Sequence, residues 1–216
     1  MARPFKDRNE AGQALVPGVR RALASDMPLI LGLPRGGVPV AWELARSLSA
    51  ELDVLVVRKL GVPFHPELAM GAIASGGARV LNDDVLLAAG ITPDALEKVE
   101  QRERDELARR EALFREGRPP LDVRGREVVL VDDGVATGAT MEAAVMALRS
   151  LDPVRLLIAV PVSSVDAAEH LGSEVDAFTC LSRPDFFGSV GQWYETFDQT
   201  SSDDVRRLLA DASERP

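Results

Sequence analysis

Short apolar runs alternate along the chain with segments whose apolar residues recur every three or four positions. The runs predict buried strands and the spaced segments predict amphipathic helices. The predicted strands cover residues 28–33, 53–57, 128–131, 155–160 and 175–181, and the predicted helices between or before them include 8–25, 38–48 and 141–151. This alternation is typical of an α/β protein with a mostly parallel sheet.

The stretch between the second and third predicted strands departs from this alternation. Residues 70–81 are apolar around Gly76-Gly77, which predicts a β-hairpin. Residues 93–117 are highly charged, with four acid-first pairs at i,i+4 spacing: Glu100 with Arg104, Asp105 with Arg109, Glu106 with Arg110 and Glu111 with Arg115. Such pairs support a helix and are usual on a solvent-facing one.

Composition narrows the class of protein. The 216 residues suit one domain, which we expect over 1–216, with a core at about 26–180, a charged helical insertion at about 93–118 and a C-terminal hood at about 181–216. A net charge of −9 makes nonspecific nucleic-acid binding unfavourable. Cys180 lies in an apolar run, which favours a buried, unreactive thiol. With two histidines, this single cysteine makes no metal cluster.

The sequence also bears on location and assembly. Its first residues have no apolar core for a signal peptide, and no run approaches the ~20 apolar residues that a membrane helix needs. We therefore expect a cytoplasmic protein without a membrane partner. A homodimer or a higher homo-oligomer remains open.

Chemistry is concentrated after the strand at 128–131. Asp132 and Asp133 follow it directly, and then comes a loop of small residues with Thr137 and Thr140, before a helix. Free amides at a helix N-terminus favour phosphate, and paired carboxylates suit vicinal hydroxyls or magnesium on the same ligand. The loop lacks the lysine and spacing of a Walker motif, and no Gly-x-Gly-x-x-Gly follows a strand. The pattern predicts a sugar phosphate site.

This run resembles the phosphoribosyl diphosphate (PRPP) motif of the type I phosphoribosyltransferases: a hydrophobic strand, two acidic residues, two further residues, then small-Thr-Gly-small-Thr. Phe5-Lys6-Asp7-Arg8 and the later Gly-Gln-Trp-Tyr-Glu-x-Phe also resemble a bacterial subgroup whose acceptor is generally unassigned. The resemblance implies a Rossmann-like core, in which a parallel five-stranded sheet is flanked by helices, with a small hood and a β-hairpin/helix insertion.

The resemblance also implies roles for individual residues. Asp132 and Asp133 would hold the ribose hydroxyls, and magnesium through water. The 5′-phosphate would bind to the loop residues Ala136, Thr137, Gly138, Ala139 and Thr140.

Two basic segments follow the first and second predicted strands, at the edge where we expect the phosphate loop. Arg35-Gly36-Gly37 resembles the pyrophosphate loop of the family, and Arg58-Lys59 resembles a basic pair that contacts pyrophosphate. An ordinary turn and a solvated basic pair are the alternatives. With the Asp pair, Arg35 and Lys59 make the expected catalytic set.

The acceptor side is expected after the last strand. There Phe186 or Phe187 resembles the hood aromatic that stacks on a base, although clustered phenylalanines are often simply core. Ala136 stands where the 6-oxopurine enzymes carry an acid/base aspartate, which argues against hypoxanthine or guanine as acceptor.

The sequence therefore predicts a magnesium-dependent phosphoribosyltransferase. It would transfer the ribose 5-phosphate of PRPP to a nitrogen of a small-molecule acceptor, with release of pyrophosphate. A non-catalytic PRPP- or nucleotide-sensing regulator and a ribose-phosphate hydrolase or phosphorylase are the alternatives.

Overall fold

The computed structural model describes residues 3–115 and 117–213. The helices are α1 (Arg8–Ala22), α2 (Gly37–Leu48), α3 (Asp83–Ala88), α4 (Pro93–Arg115), α5 (Ala139–Arg149), α6 (Val165–Glu174) and α7 (Ser202–Ser213). The strands are β1 (Leu29–Gly32), β2 (Glu51–Val54), β3 (Val57–Val62), β4 (His65–Ala74), β5 (Ala78–Leu81), β6 (Glu127–Val131), β7 (Arg155–Val162) and β8 (Ala177–Ser182). Short 3₁₀ turns lie at Ser75–Gly77 and Val190–Trp193.

The central layer is a five-stranded parallel sheet in the order β2-β1-β6-β7-β8. Residues of β6 alternate between two cores: Val129 and Val131 pack on the side of α1 and α2, whereas Val128 and Leu130 pack on the side of α5 and α6. Burial on both faces is why this strand is continuously apolar. The predicted α/β class with a helix-flanked parallel sheet is confirmed.

The predicted hairpin is also confirmed, within a second sheet of three antiparallel strands in the order β3-β4-β5. Gly76 and Gly77, both at φ of +81°, make the turn between β4 and β5. One strand boundary was wrong: β2 ends at Val54, and Val57 already belongs to β3 of the second sheet. The apolar run from Leu52 to Val57 is interrupted only by Asp53, near its start, so its pattern conceals the change of sheet.

The charged helix forms as predicted, but its solvent-facing interpretation was incomplete. One stripe of α4 is buried, comprising Val99, Glu103, Leu107, Phe114 and Arg115. Only two of the four expected pairs have ion-pair contacts among the described residues, those of Glu100 with Arg104 and of Glu106 with Arg110. Arg109 instead pairs with Glu106, and Arg115 pairs with Asp53 in β2. Within the described residues, no helix combines the length and apolar character needed to cross a membrane.

Candidate active site

The loop between β6 and α5 is held open at the carboxyl edge of the parallel sheet. Gly138, at φ of +84°, precedes α5, and no side chain caps that helix. The loop backbone is fixed from the neighbouring connection, because the Ser164 hydroxyl donates to the Ala136 carbonyl at 2.7 Å and Val135 N–H donates to Val162 O. The first amides of α5 are therefore available to an anion.

The two carboxylates at the end of β6 have different surroundings. Asp132 Oδ1 accepts the backbone N–H of Asp133 at 2.9 Å, whereas Asp133 Oδ2 lies 2.8 Å from both Nε and Nη2 of Arg8. Burial raises the pKa of both groups, and the charge of Asp133 raises the pKa of Asp132 further. Arg8 opposes the rise in the pKa of Asp133. Both sites therefore favour a ligand that stabilises negative charge.

Arg8, which begins α1, contacts both the carboxylate pair and the segment after the second 3₁₀ turn. Its Nη1 donates to the carbonyl of Asp198 at 2.7 Å, and its guanidinium lies 4.0 Å from the ring centroid of Phe197. Nearby, the Tyr194 hydroxyl donates to the backbone carbonyl of Asp133 at 2.5 Å. Sequence reasoning missed Arg8 and Tyr194 as site residues; their only signal was that both lie in the terminal segments that resemble the bacterial subgroup.

The glycines after β1 pack directly against the Asp pair. A Cβ built on Gly36 would lie 2.0 Å from Asp133 Oδ2, and one on Gly37 would lie 2.6 Å from the carbonyl of Val131. Arg35 is exposed beside them, after a cis Pro34–Arg35 peptide bond. It borders a cavity of about 350 Å³ that Arg8, Asp133 and Phe197 also line. The two sequence motifs thus form one continuous surface.

We expect Gly37→Ala to destabilise the fold by about 1–3 kcal/mol, because the new methyl group would meet backbone atoms that no rotamer change can move. Urea unfolding measures this loss. Gly172→Ala in α6 is the control, since its Cβ would meet nothing closer than 3.9 Å and alanine favours a helix. Equal stability of wild type and Gly37→Ala would mean that this contact is not tight.

The strand predicted to place Arg58 and Lys59 was wrong. They do not follow a parallel strand but lie within β3 of the antiparallel sheet, because β2 ends earlier than its apolar run. They nevertheless line a cavity of about 700 Å³ together with Thr137, Ala139 and Thr140 of the phosphate loop. Arg58 pairs with Glu103, and Lys59 Nζ lies 3.3 Å from the Glu67 carboxylate.

Helix α4 contributes to the same cavity through Arg102, Glu103 and Arg110. Sequence reasoning missed these residues because it assigned the charged helix to solvent. The signal was present in the spacing of Val99, Glu103 and Leu107, which lie on one face.

The phenylalanines predicted for the acceptor have little contact with the site. Phe186 is 93% exposed, and Phe187 stacks on Trp193 with ring centroids 6.5 Å apart. Neither ring lines the two cavities described above. Their role in acceptor binding stays a prediction.

Cys180 is half-buried, and burial raises the pKa of its thiol, which favours the protonated form. In the part of the chain that the structure describes, no three His, Cys, Asp or Glu side chains are grouped to hold a metal. A cation at the Asp pair would therefore need water or substrate oxygens as further ligands.

Known proteins resemble this chain over nearly all of its length. The crystal structure of TT1426 from Thermus thermophilus superposes with a TM-score of 0.90 at 43% identity, covering 96% of this chain and 98% of that one. Two curated proteins from two strains of Mycobacterium tuberculosis, each named "Putative phosphoribosyl transferase", are 48% identical over 205 residues. These matches cover 95% of this chain but 46% of each relative, so the chain spans about half the length of those proteins.

A family model supplies the assignment. The model described as the phosphoribosyl transferase domain matches residues 18–195, which include the Asp pair, the phosphate loop, both basic segments and Tyr194. The chain belongs to the phosphoribosyl transferase domain family.

Proposed function

We propose that the chain is a magnesium-dependent phosphoribosyltransferase that moves the ribose 5-phosphate of PRPP to a nitrogen acceptor and releases pyrophosphate. One observation carries the proposal: Asp133 lines one cavity with Arg35, and the phosphate loop at the open N-terminus of α5 lines the other with Arg58 and Lys59. A ligand that carries a sugar diol and phosphate groups at both ends matches this set of groups.

Each part of PRPP has a matching group in this arrangement. The 5′-phosphate binds the amides and hydroxyls of Ala136 to Thr140, and the ribose hydroxyls bind Asp132 and Asp133. Pyrophosphate binds to the glycine loop and to the basic side chains, namely Arg35, Gly36, Gly37, Arg58 and Lys59. Several cations are needed because the leaving group carries most of the charge of PRPP.

The donor set fits magnesium. Mg²⁺ is usually bound through one or two carboxylates, several waters and substrate phosphates, and two adjacent carboxylates are what the end of β6 offers. Asp132 makes no ion pair among the described residues, so no cationic side chain there competes with a metal ion for its carboxylate. Bound there, the ion would supply charge neutralisation on the departing pyrophosphate.

The reaction then follows from positioning and charge. The acceptor nitrogen forms a bond to C1 of the ribose as the bond from C1 to the pyrophosphate oxygen breaks, and the electron pair leaves with pyrophosphate. The transition state resembles an oxocarbenium ion, which the fixed ribose and the cations around the leaving group stabilise. Ala136 offers no acid or base, so an acceptor other than hypoxanthine or guanine is favoured, with Phe186 or Phe187 available to stack on a planar base.

Pyrophosphate release from PRPP and magnesium, measured across a panel of nucleobases and small amines, tests the proposal. A productive acceptor should give one pyrophosphate per phosphoribosylated product, and PRPP with magnesium should raise the Tm because it binds the folded state. No Tm shift at millimolar concentrations contradicts the proposal. Binding without turnover would support a sensor, and acceptor-independent breakdown would support a hydrolase.

A further inference from the structure

Glu103 of α4 is a buried carboxylate whose two oxygens are divided between two arginines. Oε2 accepts from Nε and Nη2 of Arg58 at 2.8 and 2.6 Å. Oε1 accepts from Nε of Arg102 at 3.1 Å and lies 3.0 Å from its Nη2. Glu103 is 7% exposed, and all three residues line the 700 Å³ cavity beside the phosphate loop.

The charge of this cavity is opposite to that of the chain. Four cationic side chains line it against two carboxylates, in a protein whose net charge is −9: Arg58, Lys59, Arg102 and Arg110 against Glu67 and Glu103. The Glu67 side chain is 94% exposed, so solvent screens it, whereas Glu103 is buried at the cavity wall. By itself, a buried negative charge beside an anion site opposes anion binding, so a benefit from Glu103 must come from what it does to its partners.

The hydrogen bonds of Glu103 leave part of each guanidinium unused. A guanidinium has five N–H donors, and Glu103 takes only the Nε and one Nη donor of each arginine. Two guanidinium groups on separate elements, β3 and α4, are thereby held by one carboxylate, and their remaining N–H groups make no hydrogen bond within the described part of the chain. Arginines fixed in this way bind an anion without first losing side-chain freedom.

We propose that Glu103 is a positioning residue that orients Arg58 and Arg102 toward the pyrophosphate group of PRPP, and that Arg102 is a further pyrophosphate ligand. This inference rests on the proposed function. It adds α4 to the binding site. It also gives a role to Glu103, although the negative charge of Glu103 repels an anionic ligand.

The sign of one effect tests the proposal. Glu103→Gln keeps the shape of the side chain and removes its charge. If the charge only repels the ligand, the variant binds pyrophosphate more tightly; if Glu103 positions the arginines, it binds more weakly. We expect the dissociation constants for magnesium pyrophosphate and for PRPP to rise about tenfold, the equivalent of one charge-assisted hydrogen bond.

Glu100→Gln is a closely matched control. Glu100 lies on the same helix, its side chain is 13% exposed, and it also holds two arginines, Arg79 and Arg104. Neither of those arginines lines the 700 Å³ cavity. Calorimetry should therefore give wild-type affinities for Glu100→Gln, although each variant loses comparable ion pairs.

A double-mutant cycle separates positioning from general destabilisation. Arg102→Ala changes a side chain that is 71% exposed, so its fold should be retained. It should weaken pyrophosphate binding, and adding Glu103→Gln to it should cost less than Glu103→Gln does alone, because one of the two oriented groups is already gone. Additive losses, or unchanged or tighter binding by Glu103→Gln, overturn the proposal.

Binding of PRPP and pyrophosphate by the wild type distinguishes a failure of the role of α4 from a failure of the proposed function. If wild-type protein binds PRPP and pyrophosphate, and Glu103→Gln and Arg102→Ala bind them equally well, only the role proposed for α4 is contradicted. Wild-type protein that binds neither ligand contradicts the proposed function and this inference together. If Glu103→Gln fails to fold, full pyrophosphate affinity in Arg102→Ala is sufficient to overturn the proposal.

Discussion

Replacing Asp132 with asparagine should raise the Tm of the ligand-free protein and at the same time remove most of its affinity for PRPP. Burial and the charge of Asp133 raise the pKa of Asp132, so the ionised form is disfavoured in the folded state. At a pH above the ordinary pKa of aspartate, the charge of Asp132 lowers the stability of the folded protein. The neutral amide of asparagine avoids that cost. The same charge is the group proposed to bind ribose and magnesium-bound water.

Asp133→Asn should lose PRPP affinity too, but it should lower the Tm: although burial also raises the pKa of Asp133, Arg8 opposes that rise and loses its ion pair in this variant. The change leaves Arg8 without its carboxylate partner, at a pair whose side chains are only 12% and 13% exposed. An unpaired group in such a place costs about 1–3 kcal/mol. For both variants, loss of a charged acceptor should weaken PRPP binding roughly 10- to 100-fold.

Scanning calorimetry and titration of PRPP with magnesium measure the two effects separately. The pH dependence gives a further check with a definite sign. Because folding raises the pKa of Asp132, its unfavourable contribution is absent at low pH and grows as the pH rises from the ordinary aspartate pKa toward that raised pKa. The gain in Tm of Asp132→Asn should therefore be larger at neutral pH than near pH 4. Unaltered PRPP affinity in both variants would make the carboxylate pair structural.

The candidate-site residues whose place in the fold followed from the sequence are local in the chain. One short segment contains them all: β6 ends at Val131, Asp132 and Asp133 follow, and α5 begins at Ala139. Their positions therefore depend mainly on their order in the chain. Arg35 to Gly37 adjoin them because the carboxyl ends of neighbouring parallel strands share one edge.

The parts that sequence missed depend on contacts between distant residues. Arg8 and Asp133 are 125 positions apart, and Arg58 and Glu103 are 45 apart. No periodicity encodes which partner a charged residue will meet across such distances. The charge pairs along α4 were likewise predicted within the helix, whereas Arg115 is taken by a carboxylate in β2.

That ion pair carries the second large expected effect. Asp53 and Arg115 are 6% and 9% exposed, and Arg115 donates from Nε and Nη2 to the two oxygens of Asp53 at 3.1 and 2.7 Å. Asp53→Ala would leave the guanidinium of Arg115 buried and without its carboxylate, with Arg118 also losing a neighbour at 3.6 Å. Breaking a buried pair in this way costs about 3–5 kcal/mol.

Urea unfolding at neutral pH measures the free energy lost by Asp53→Ala. Glu51→Ala is the control from the same strand, because its pair with Arg126 is solvent-exposed and should be worth under about 1 kcal/mol. The double variant Asp53→Leu with Arg115→Met should recover much of the stability, since apolar groups of similar size often replace a buried pair at little cost. If Asp53→Ala loses no more than Glu51→Ala, the pair does not anchor the end of α4 to β2. The orientation of Glu103 would then have to come from packing along the buried stripe of that helix.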